Sequence, residues 1–162
     1  MKRLILMRHA KSDWSAGTAD ANRPLNARGR RSAEAMGQWL RDMGHIPDEI
    51  LCSSATRTRE TLDLLALKAP TSYRKSLYLA DSQTMLSALH GASGDCVLML
   101  GHNPGVGQCA HMLVSQEPEH ERFDDYPTCA TLVAEFDIEK WEDLLPGSGA
   151  PLGFAVGRDL TD

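Results

Sequence analysis

Short continuous apolar runs along the chain predict buried strands. The first run covers 3–7 and ends at polar residues, as expected for a strand buried on both faces of a parallel sheet. A second strand is predicted over 49–52, and the clearest one covers 96–100, between glycines. Alternating apolar residues within 128–138 predict a further strand, and a short one is expected within 72–79.

Between these runs, apolar residues recur at steps of three and four, the spacing of one helix face. Asn26 is a natural N-cap for the first helix, and Gly44 stops it. The second helix is expected to be capped by Ser53 or Ser54, the third covers 82–90, and Asn103 caps the fourth, with Pro104 in its first turn. The residues expected to face the core are Ala33, Met36, Leu40, Met43, Thr58, Leu62, Leu65, Met85, Leu86, Leu89, Val106, Cys109, Ala110 and Leu113.

Strands and helices alternate along the chain, which indicates the α/β class. We therefore predict a three-layer α/β/α sandwich with a mostly parallel central sheet. A length of 162 residues fits one domain, 1–162, that is long enough to bury a core. The glycine-rich tail from Pro146 carries little pattern.

The cysteines and the N-terminus bear on the compartment. Cys52, Cys96, Cys109 and Cys129 form no C-x-x-C pair and are interpreted as reduced, buried thiols. The first apolar run stops at Arg8, too short for a signal peptide, and no run approaches the roughly 18 residues of a membrane span. We expect a cytoplasmic protein without a membrane partner.

Charge is distributed unevenly along the chain. The net charge of −5 argues against a protein that binds nucleic acid through bulk positive charge. Residues 1–60, however, hold 11 Lys and Arg against 7 Asp and Glu, whereas the remainder holds 6 against 15. Positive charge is thus concentrated in the first third, which points to an anionic ligand there.

Three polar segments directly follow predicted strands, and each contains Arg or His. They are Arg8-His9-Ala10-Lys11-Ser12, the stretch from Ser53 to Thr61, and Gly101-His102-Asn103-Pro104-Gly105. Alone, such a histidine is usually structural, and Arg57 would usually be an exposed partner of Glu60. Parallel strands, however, bring their carboxyl ends to one sheet edge, where ligands bind. The coincidence of all three segments at that edge favours a functional site.

The segment 8–12 resembles the Arg-His-Gly signature of the histidine phosphatase (phosphoglycerate mutase-like) superfamily, in the form typical of SixA-type phosphohistidine phosphatases. The segments 22–29, 53–61 and 101–104 are similar to further motifs of that subfamily, in the same order. Together the four motifs span residues 3 to about 110. The resemblance implies a phosphoglycerate mutase-like fold and a phosphatase that forms a phosphohistidine intermediate.

The resemblance also implies a role for each matching residue. His9 would be the nucleophile, Arg8, Arg57 and His102 would bind the phosphate oxygens, and Arg23 would add a phosphate or substrate contact. The chemistry is reasonable, because a neutral imidazole can attack phosphorus without a separate base, and guanidinium groups bind phosphate bidentately. Positioning and charge stabilisation could then suffice, so no metal or other cofactor is expected.

The chain departs from the family pattern at several positions. Ala10 replaces Gly, Ser54 stands where Pro is frequent, and Glu60 where Gln is frequent. Ser15 stands where many relatives carry a phosphate-contacting Asn, a role its hydroxyl could still fill. Asp81 lies where relatives that cleave esters place a general acid, but an Asp before a helix is also an ordinary N-cap. Both alternatives for Asp81 stay open.

The leading expectation is a monomeric phosphatase that acts on phosphohistidine in a protein, such as a histidine phosphotransfer domain. A phosphatase for a small phosphorylated metabolite is the alternative. A non-catalytic phosphate-recognition module is a second alternative, which the retention of His9 speaks against. No nucleic-acid partner is expected, since aromatic interleaving and known motifs are absent. Arg28, Arg30 and Arg31 are interpreted as a solvated helix face or as residues that attract an acidic or phosphorylated partner.

Overall fold

Six strands form one mixed sheet in the computed structural model, which describes all 162 residues. The strands are β1 (Lys2–Arg8), β2 (Glu49–Ser53), β3 (Thr71–Arg74), β4 (Cys96–Gly101), β5 (Thr131–Phe136) and β6 (Ala150–Ala155). Their order is β3-β2-β4-β1-β5-β6, with the first four parallel and β5 antiparallel to both neighbours. The predicted fold class, an α/β sandwich with a mostly parallel sheet, is confirmed.

Helices cover both faces of this sheet. They are α1 (Ala27–Asp42), α2 (Thr56–Leu65), α3 (Ser82–His90), α4 (Gly105–Leu113) and α5 (Gly157–Thr161). Short 3₁₀ turns occur at Asp20–Asn22, Lys75–Leu77 and Trp141–Asp143. None of the helices combines the length and the apolar character needed to cross a bilayer.

Strand β1 separates two apolar cores, because successive side chains of a strand point to opposite faces. Leu4 and Leu6 pack in the core that includes α3 and α4, whereas Ile5 and Met7 pack in the core that includes α1 and α2. All four side chains are inaccessible to solvent. The predicted strand buried on both faces is therefore confirmed, and both cores anchor the strand that leads into the first motif.

The limits of the first two helices agree only partly with expectation. Asn26 caps α1, since its side chain accepts a hydrogen bond from the Gly29 amide at 2.8 Å. Met43, expected to face the core, lies at the C-cap and is 55% exposed. The predicted serine cap of α2 is wrong: Ala55 is the N-cap and gives no side-chain bond.

Other limits differ from those predicted. The stretch 72–79 holds the short β3 and then a 3₁₀ turn, rather than one strand. Pro104, not Asn103, is the N-cap of α4, although the Asn103 side chain accepts from the Gly107 amide at 3.1 Å. The glycine-rich tail, which has little apolar periodicity, contains β6 and α5. The four cysteines are buried and free, as predicted.

The order of the sheet places the three motifs together. Strands β2, β4 and β1 are adjacent and parallel, so their carboxyl ends lie at the same edge. Arg8 is paired in register with Gly101, and Ser53 ends β2 beside them. Each motif therefore begins at this edge.

Gly37 lets α1 approach α2 closely. A Cβ atom at this position would lie 2.1 Å from the Leu65 carbonyl oxygen, so Gly37→Ala requires the two helices to separate. We expect Gly37→Ala to lower the free energy of unfolding by about 1–3 kcal/mol in urea denaturation, despite the roughly 1 kcal/mol better helix propensity of alanine.

Gly91→Ala is the matched control for this substitution. A Cβ atom there would meet only the Ala88 carbonyl oxygen, at 3.7 Å, and we expect a change within about 0.5 kcal/mol. A Gly37→Ala variant as stable as the wild type would contradict this account of helix packing.

Candidate active site

The backbone after β1 is held from three sides. The His9 amide donates to the Gly101 carbonyl at 3.0 Å, and the His9 carbonyl accepts from the Cys129 amide at 2.9 Å. The Ala10 amide donates to the Thr61 hydroxyl of α2 at 3.0 Å. Contacts from β4, α2 and the loop before β5 thus fix the position of the His9 backbone.

One hydrogen bond determines which nitrogen of His9 can react. His9 is 5% exposed, and its ring Nδ1 lies 2.7 Å from the Ala10 carbonyl oxygen. Because a carbonyl only accepts, Nδ1 carries the proton, and Nε2 of the neutral ring keeps its lone pair. Burial, above all, lowers the His9 pKa to about 3; the charges on His102, Arg8 and Arg57 contribute to this shift, and the Ala10 bond opposes it. His9 is therefore a neutral, nucleophilic imidazole at pH 7.

His102 lies beside His9, with 5.3 Å between the ring centroids. Its Nε2 lies 2.7 Å from the Ser53 hydroxyl, and that hydroxyl accepts from the Ala55 amide at 3.3 Å. A Ser53 hydroxyl that donates to Nε2 leaves Nδ1 as an N–H donor. Burial, followed by the nearby Arg57 charge, lowers the His102 pKa to about 4, so this ring is also neutral at pH 7.

Three buried nitrogen atoms near His9 have no hydrogen-bond partner in the protein. They are the Nε atoms of Arg8 and Arg57 and the Nδ1 atom of His102. Buried polar groups are normally paired, and leaving one unpaired costs about 1–3 kcal/mol. Three such donors around one nucleophilic ring are typical of a binding site for an oxyanion, whose oxygens would accept from them.

Asp20, which sequence reasoning missed, binds both Arg57 and Arg23. Its carbonyl accepts from Arg57 Nη1 at 2.7 Å, and its carboxylate accepts from Arg57 Nη2 and Arg23 Nη1, both at 3.1 Å. The Tyr78 hydroxyl donates to the same carboxylate. The Tyr78 hydrogen bond has the largest effect in lowering the Asp20 pKa, and the contacts with Arg57 and Arg23 add to it. The carboxylate therefore stays ionised. In the sequence, the only indication of this role is that an acidic residue lies three positions before Arg23.

Arg23 is joined to Arg57 through Asp20, and its contact with phosphate or substrate stays a prediction. Its Nε donates to the Ser12 hydroxyl at 3.1 Å, and its guanidinium carbon lies 3.5 Å from the centre of the Trp14 ring. Burial, followed by the nearby Arg57 charge, lowers the Arg23 pKa. The structure thus brings together His9, Arg8, Arg57, His102 and Arg23, the five residues with the strongest predicted roles.

Two tyrosines complete the surroundings and were also missed. The Tyr78 ring meets His102 edge-on at 5.4 Å. The Tyr126 carbonyl accepts from Arg8 Nη1 at 3.3 Å and from the Asn103 side chain at 2.9 Å. Tyr126 has a φ of 45°, a left-handed conformation that no local pattern predicts. Its carbonyl links the first and third motifs.

Asp81 and Ser15 form their hydrogen bonds with neighbours in the chain rather than with these residues. The Asp81 carboxylate accepts from the Thr84 amide at 2.8 Å, which confirms the capping alternative and lowers the Asp81 pKa, whereas a general acid needs a raised one. The exposed Ser15 hydroxyl donates to Asp13 at 2.5 Å. No hydrogen bond joins either residue to His9, and their predicted chemical roles stay predictions.

One surface group has the chemistry of a metal site. His111, Glu117 and Asp124 place one ligand atom each within 4.8 Å of one another. The His111 Nε2 lies 3.1 Å from Asp124 and 3.4 Å from Glu117, so ion pairing accounts for their proximity. None of the three belongs to the cluster around His9.

Comparisons with known proteins identify relatives of the whole chain. Residues 4–81 match the sequence profile of the histidine phosphatase superfamily (branch 1). An uncharacterised protein of Mycobacterium tuberculosis is 37% identical over 159 residues, covering 94% of this chain and all of the relative.

Two solved structures have the same fold over nearly their whole length. A protein of Nakamurella multipartitia provisionally named phosphohistidine phosphatase SixA is 29% identical, with a TM-score of 0.81 and 95% of each chain covered. Its provisionally named counterpart from Agrobacterium tumefaciens is 26% identical, with a TM-score of 0.78 and coverage of 96% and 98%.

The His9 environment generates a titration prediction. Because its lowered pKa favours the neutral form, the His9 ring should keep the Nδ1-protonated neutral pattern of ¹⁵N shifts down to about pH 5. His111 is the internal control: burial opposes protonation, but bonds to Gly107 and Asp124 raise its pKa above the ordinary value. A His9→Gln variant assigns the resonance, and protonation of His9 near pH 6.5 would contradict this environment.

Proposed function

The chain belongs to the histidine phosphatase superfamily, and we propose that it removes the phosphoryl group from phosphohistidine in a protein, by way of a phosphohistidine intermediate on His9. The observation that carries this proposal is the set of three unpaired buried donors around a neutral imidazole. A phosphoryl group beside His9 Nε2 would satisfy these donors and present phosphorus to the lone pair. The similarity to proteins provisionally named SixA supports the phosphohistidine substrate.

In the first step, the His9 Nε2 lone pair attacks phosphorus, and the bond from phosphorus to the substrate nitrogen breaks. The bond electrons stay with the departing imidazole, which leaves neutral once its ring carries a proton. Arg8, Arg57 and His102 donate to the three equatorial oxygens while charge spreads over them. The fixed donors need no rearrangement at that moment, which lowers the barrier.

In the second step, water attacks the phosphorus of phospho-His9. The bond from phosphorus to Nε2 breaks, inorganic phosphate forms, and the water proton passes to the phosphate oxygens or to solvent. His9 returns to the neutral Nδ1-protonated ring that the Ala10 bond favours. One water molecule is consumed for each phosphoryl group released.

The leaving group distinguishes this substrate from an ester. An alkoxide must be protonated as it leaves, which requires a carboxylic acid near the bridging oxygen. The carboxylates of Asp20 and Asp81 both have lowered pKa values and are ionised at pH 7. A protonated imidazole leaves without such help, so the site is better suited to phosphohistidine than to alkyl phosphates.

The rim of the site suits a protein substrate. Trp14 is 80% exposed beside Arg23, and Leu79, next to Tyr78, is 56% exposed. Exposed aromatic and aliphatic side chains of this kind are typical anchors of protein interfaces. We propose a phosphorylated histidine phosphotransfer domain as the partner.

A substrate panel distinguishes this function from the two alternatives. We expect phosphohistidine protein to be hydrolysed with a kcat/KM at least about tenfold above those of sugar phosphates and phosphoserine peptides, a difference of about 1.4 kcal/mol in barrier. Preference for a small phosphorylated metabolite would instead favour the metabolite phosphatase. Binding of all substrates without turnover would indicate a recognition module.

The covalent step predicts a labelled enzyme. After brief incubation with a ³²P-labelled phosphohistidine protein and rapid quenching, the wild type should carry acid-labile, alkali-stable label on His9. His9→Ala should carry none, because methyl cannot accept the phosphoryl group. His90→Ala, which removes a histidine distant from the cluster, is the matched control and should label normally. Label that persists in His9→Ala would exclude His9 as the nucleophile.

The Asp20 contacts predict a split between kcat and KM. Asp20→Ala removes the carboxylate that orients Arg57 and Arg23 but increases the positive charge around the substrate phosphate. We expect kcat to fall about tenfold or more and KM not to increase. The fall in kcat corresponds to the loss of a hydrogen bond to a charged group, which contributes about 1.5–3 kcal/mol. Asp13→Ala, in the same loop, is the control and should change neither parameter. An unchanged kcat in Asp20→Ala would contradict the orienting role.

A further inference from the structure

A cleft lined by cationic side chains lies close to the His9 site. It encloses about 200 Å³ between α1, α5 and the loop before β5. The polar side chains in its lining are those of Lys11, Arg28, Ser32, Arg122, Thr128 and Arg158. None of these is among the residues that surround His9. We refer to this feature as the basic cleft.

The charge of the basic cleft is positive. Four cationic side chains line it, and no carboxylate does. Arg28 and Arg158 share the Asp162 carboxylate at 3.9 and 3.4 Å, and the Arg122 guanidinium is paired with Asp125 at 2.9 Å. Lys11 forms no ion pair in the structure. Glu121 and Asp159 also act on the Arg122 guanidinium. The excess of positive charge therefore lies at Lys11, Arg28 and Arg158, which have one carboxylate, that of Asp162, between them.

Ser32 is a second and independent sign of a ligand. It is 93% buried, at 7% exposure, and lines the cleft from α1, yet its hydroxyl forms no hydrogen bond with the protein. Its close packing partner is the Gly157 backbone, where an added Cβ atom would lie 2.8 Å from the Ser32 oxygen. The hydroxyl oxygen is accessible from the cleft, so an oxyanion bound there would accept its hydrogen bond.

The cleft also has a backbone connection to the nucleophile. Thr128 immediately precedes Cys129, whose amide donates to the His9 carbonyl at 2.9 Å, and Lys11 lies two residues after His9. The basic cleft is therefore built on the same two segments that hold the nucleophile. It also gives a use to Arg28, which has no role in the His9 site.

We propose that the basic cleft is an accessory binding site for a small phosphate-class oxyanion, distinct from the His9 site. Lys11, Arg28 and Arg158 supply the charge, and the Ser32 hydroxyl donates a hydrogen bond. The anion is either free phosphate or the terminal group of a phosphorylated molecule, which offer the same oxygens. This proposal does not depend on the phosphatase activity.

A site-resolved titration tests the proposal. In two-dimensional ¹H–¹⁵N spectra of the full chain, inorganic phosphate should shift the Thr128 and Gly157 amide signals saturably. The Ala10 and Gly101 amides report the His9 site in the same spectra, so failure of one site is distinguishable from failure of the other. Phenylphosphonate, which cannot be hydrolysed, is the second probe. Binding of both probes would indicate that the cleft takes the terminal phosphate of a larger molecule. Binding of inorganic phosphate alone would indicate that it takes the free anion.

Matched variants distinguish a specific anion site from a general effect of positive surface charge. Lys11→Gln with Arg158→Gln should weaken binding at the cleft at least tenfold, whereas Arg30→Gln with Arg31→Gln, an equal change of charge on exposed α1 residues, should change it less than twofold. Ser32→Ala should weaken phosphate binding about threefold while leaving the melting temperature unchanged, because its hydroxyl has no partner in the protein.

Three results would overturn the proposal. They are the absence of saturable shifts at Thr128 and Gly157, an equal loss of binding in both double variants, and undiminished binding by Ser32→Ala.

Discussion

The hydrogen bond from His9 Nδ1 to the Ala10 carbonyl is the interaction on which the chemistry of this molecule depends. It fixes the tautomer, the ring orientation and the position of the reactive Nε2 lone pair together. The bond is possible only because the backbone of 8–10 is held by β4, α2 and the loop before β5. The sheet order therefore determines the chemistry, since it brings these three elements to one edge.

The arrangement around this bond is costly for the folded state. Arginines and neutral histidines are buried together, and three donors stay unpaired at about 1–3 kcal/mol each. Asp20 offsets part of the electrostatic cost by binding the outer nitrogen atoms of Arg57 and Arg23 while leaving the inner Arg57 Nε free. The two apolar cores on either side of β1 supply the stability that allows such a site. Affinity for a phosphoryl group is thus built in before the ligand arrives.

Much of the fold could be predicted from local pattern. The run at 3–7, the third helix at 82–90 and the cysteine burial follow from hydrophobic periodicity, which reports which face of an element is buried. The helix limits at Ser53 and Asn103 were less accurate. Ser53 supports His102 instead of capping α2, and Asn103, although its oxygen accepts from the Gly107 amide, lies one residue before the Pro104 N-cap. In the tail, β6 forms through pairing with β5 and α5 packs on α1, and no local sequence window contains these contacts.

The motif residues of the site could be predicted, but the residues that support them could not. Arg8, His9, Arg57 and His102 follow strands and match a family pattern, whereas Asp20 and Tyr126 lie outside the strands and α-helices. Their roles depend on contacts across 37 residues to Arg57 and 118 residues to Arg8. Contacts at such separation depend on the path of the loops rather than on spacing in the sequence.

A crystal structure of the protein with orthovanadate would show the reactive arrangement itself, since vanadate adopts the five-coordinate geometry of phosphoryl transfer. We expect a bond from vanadium to His9 Nε2, with vanadate oxygens accepting from Arg8 Nε, Arg57 Nε and His102 Nδ1, and with the bond from Nδ1 to Ala10 intact. Vanadate bound through His9 Nδ1, through His102, or away from these donors would contradict this expectation.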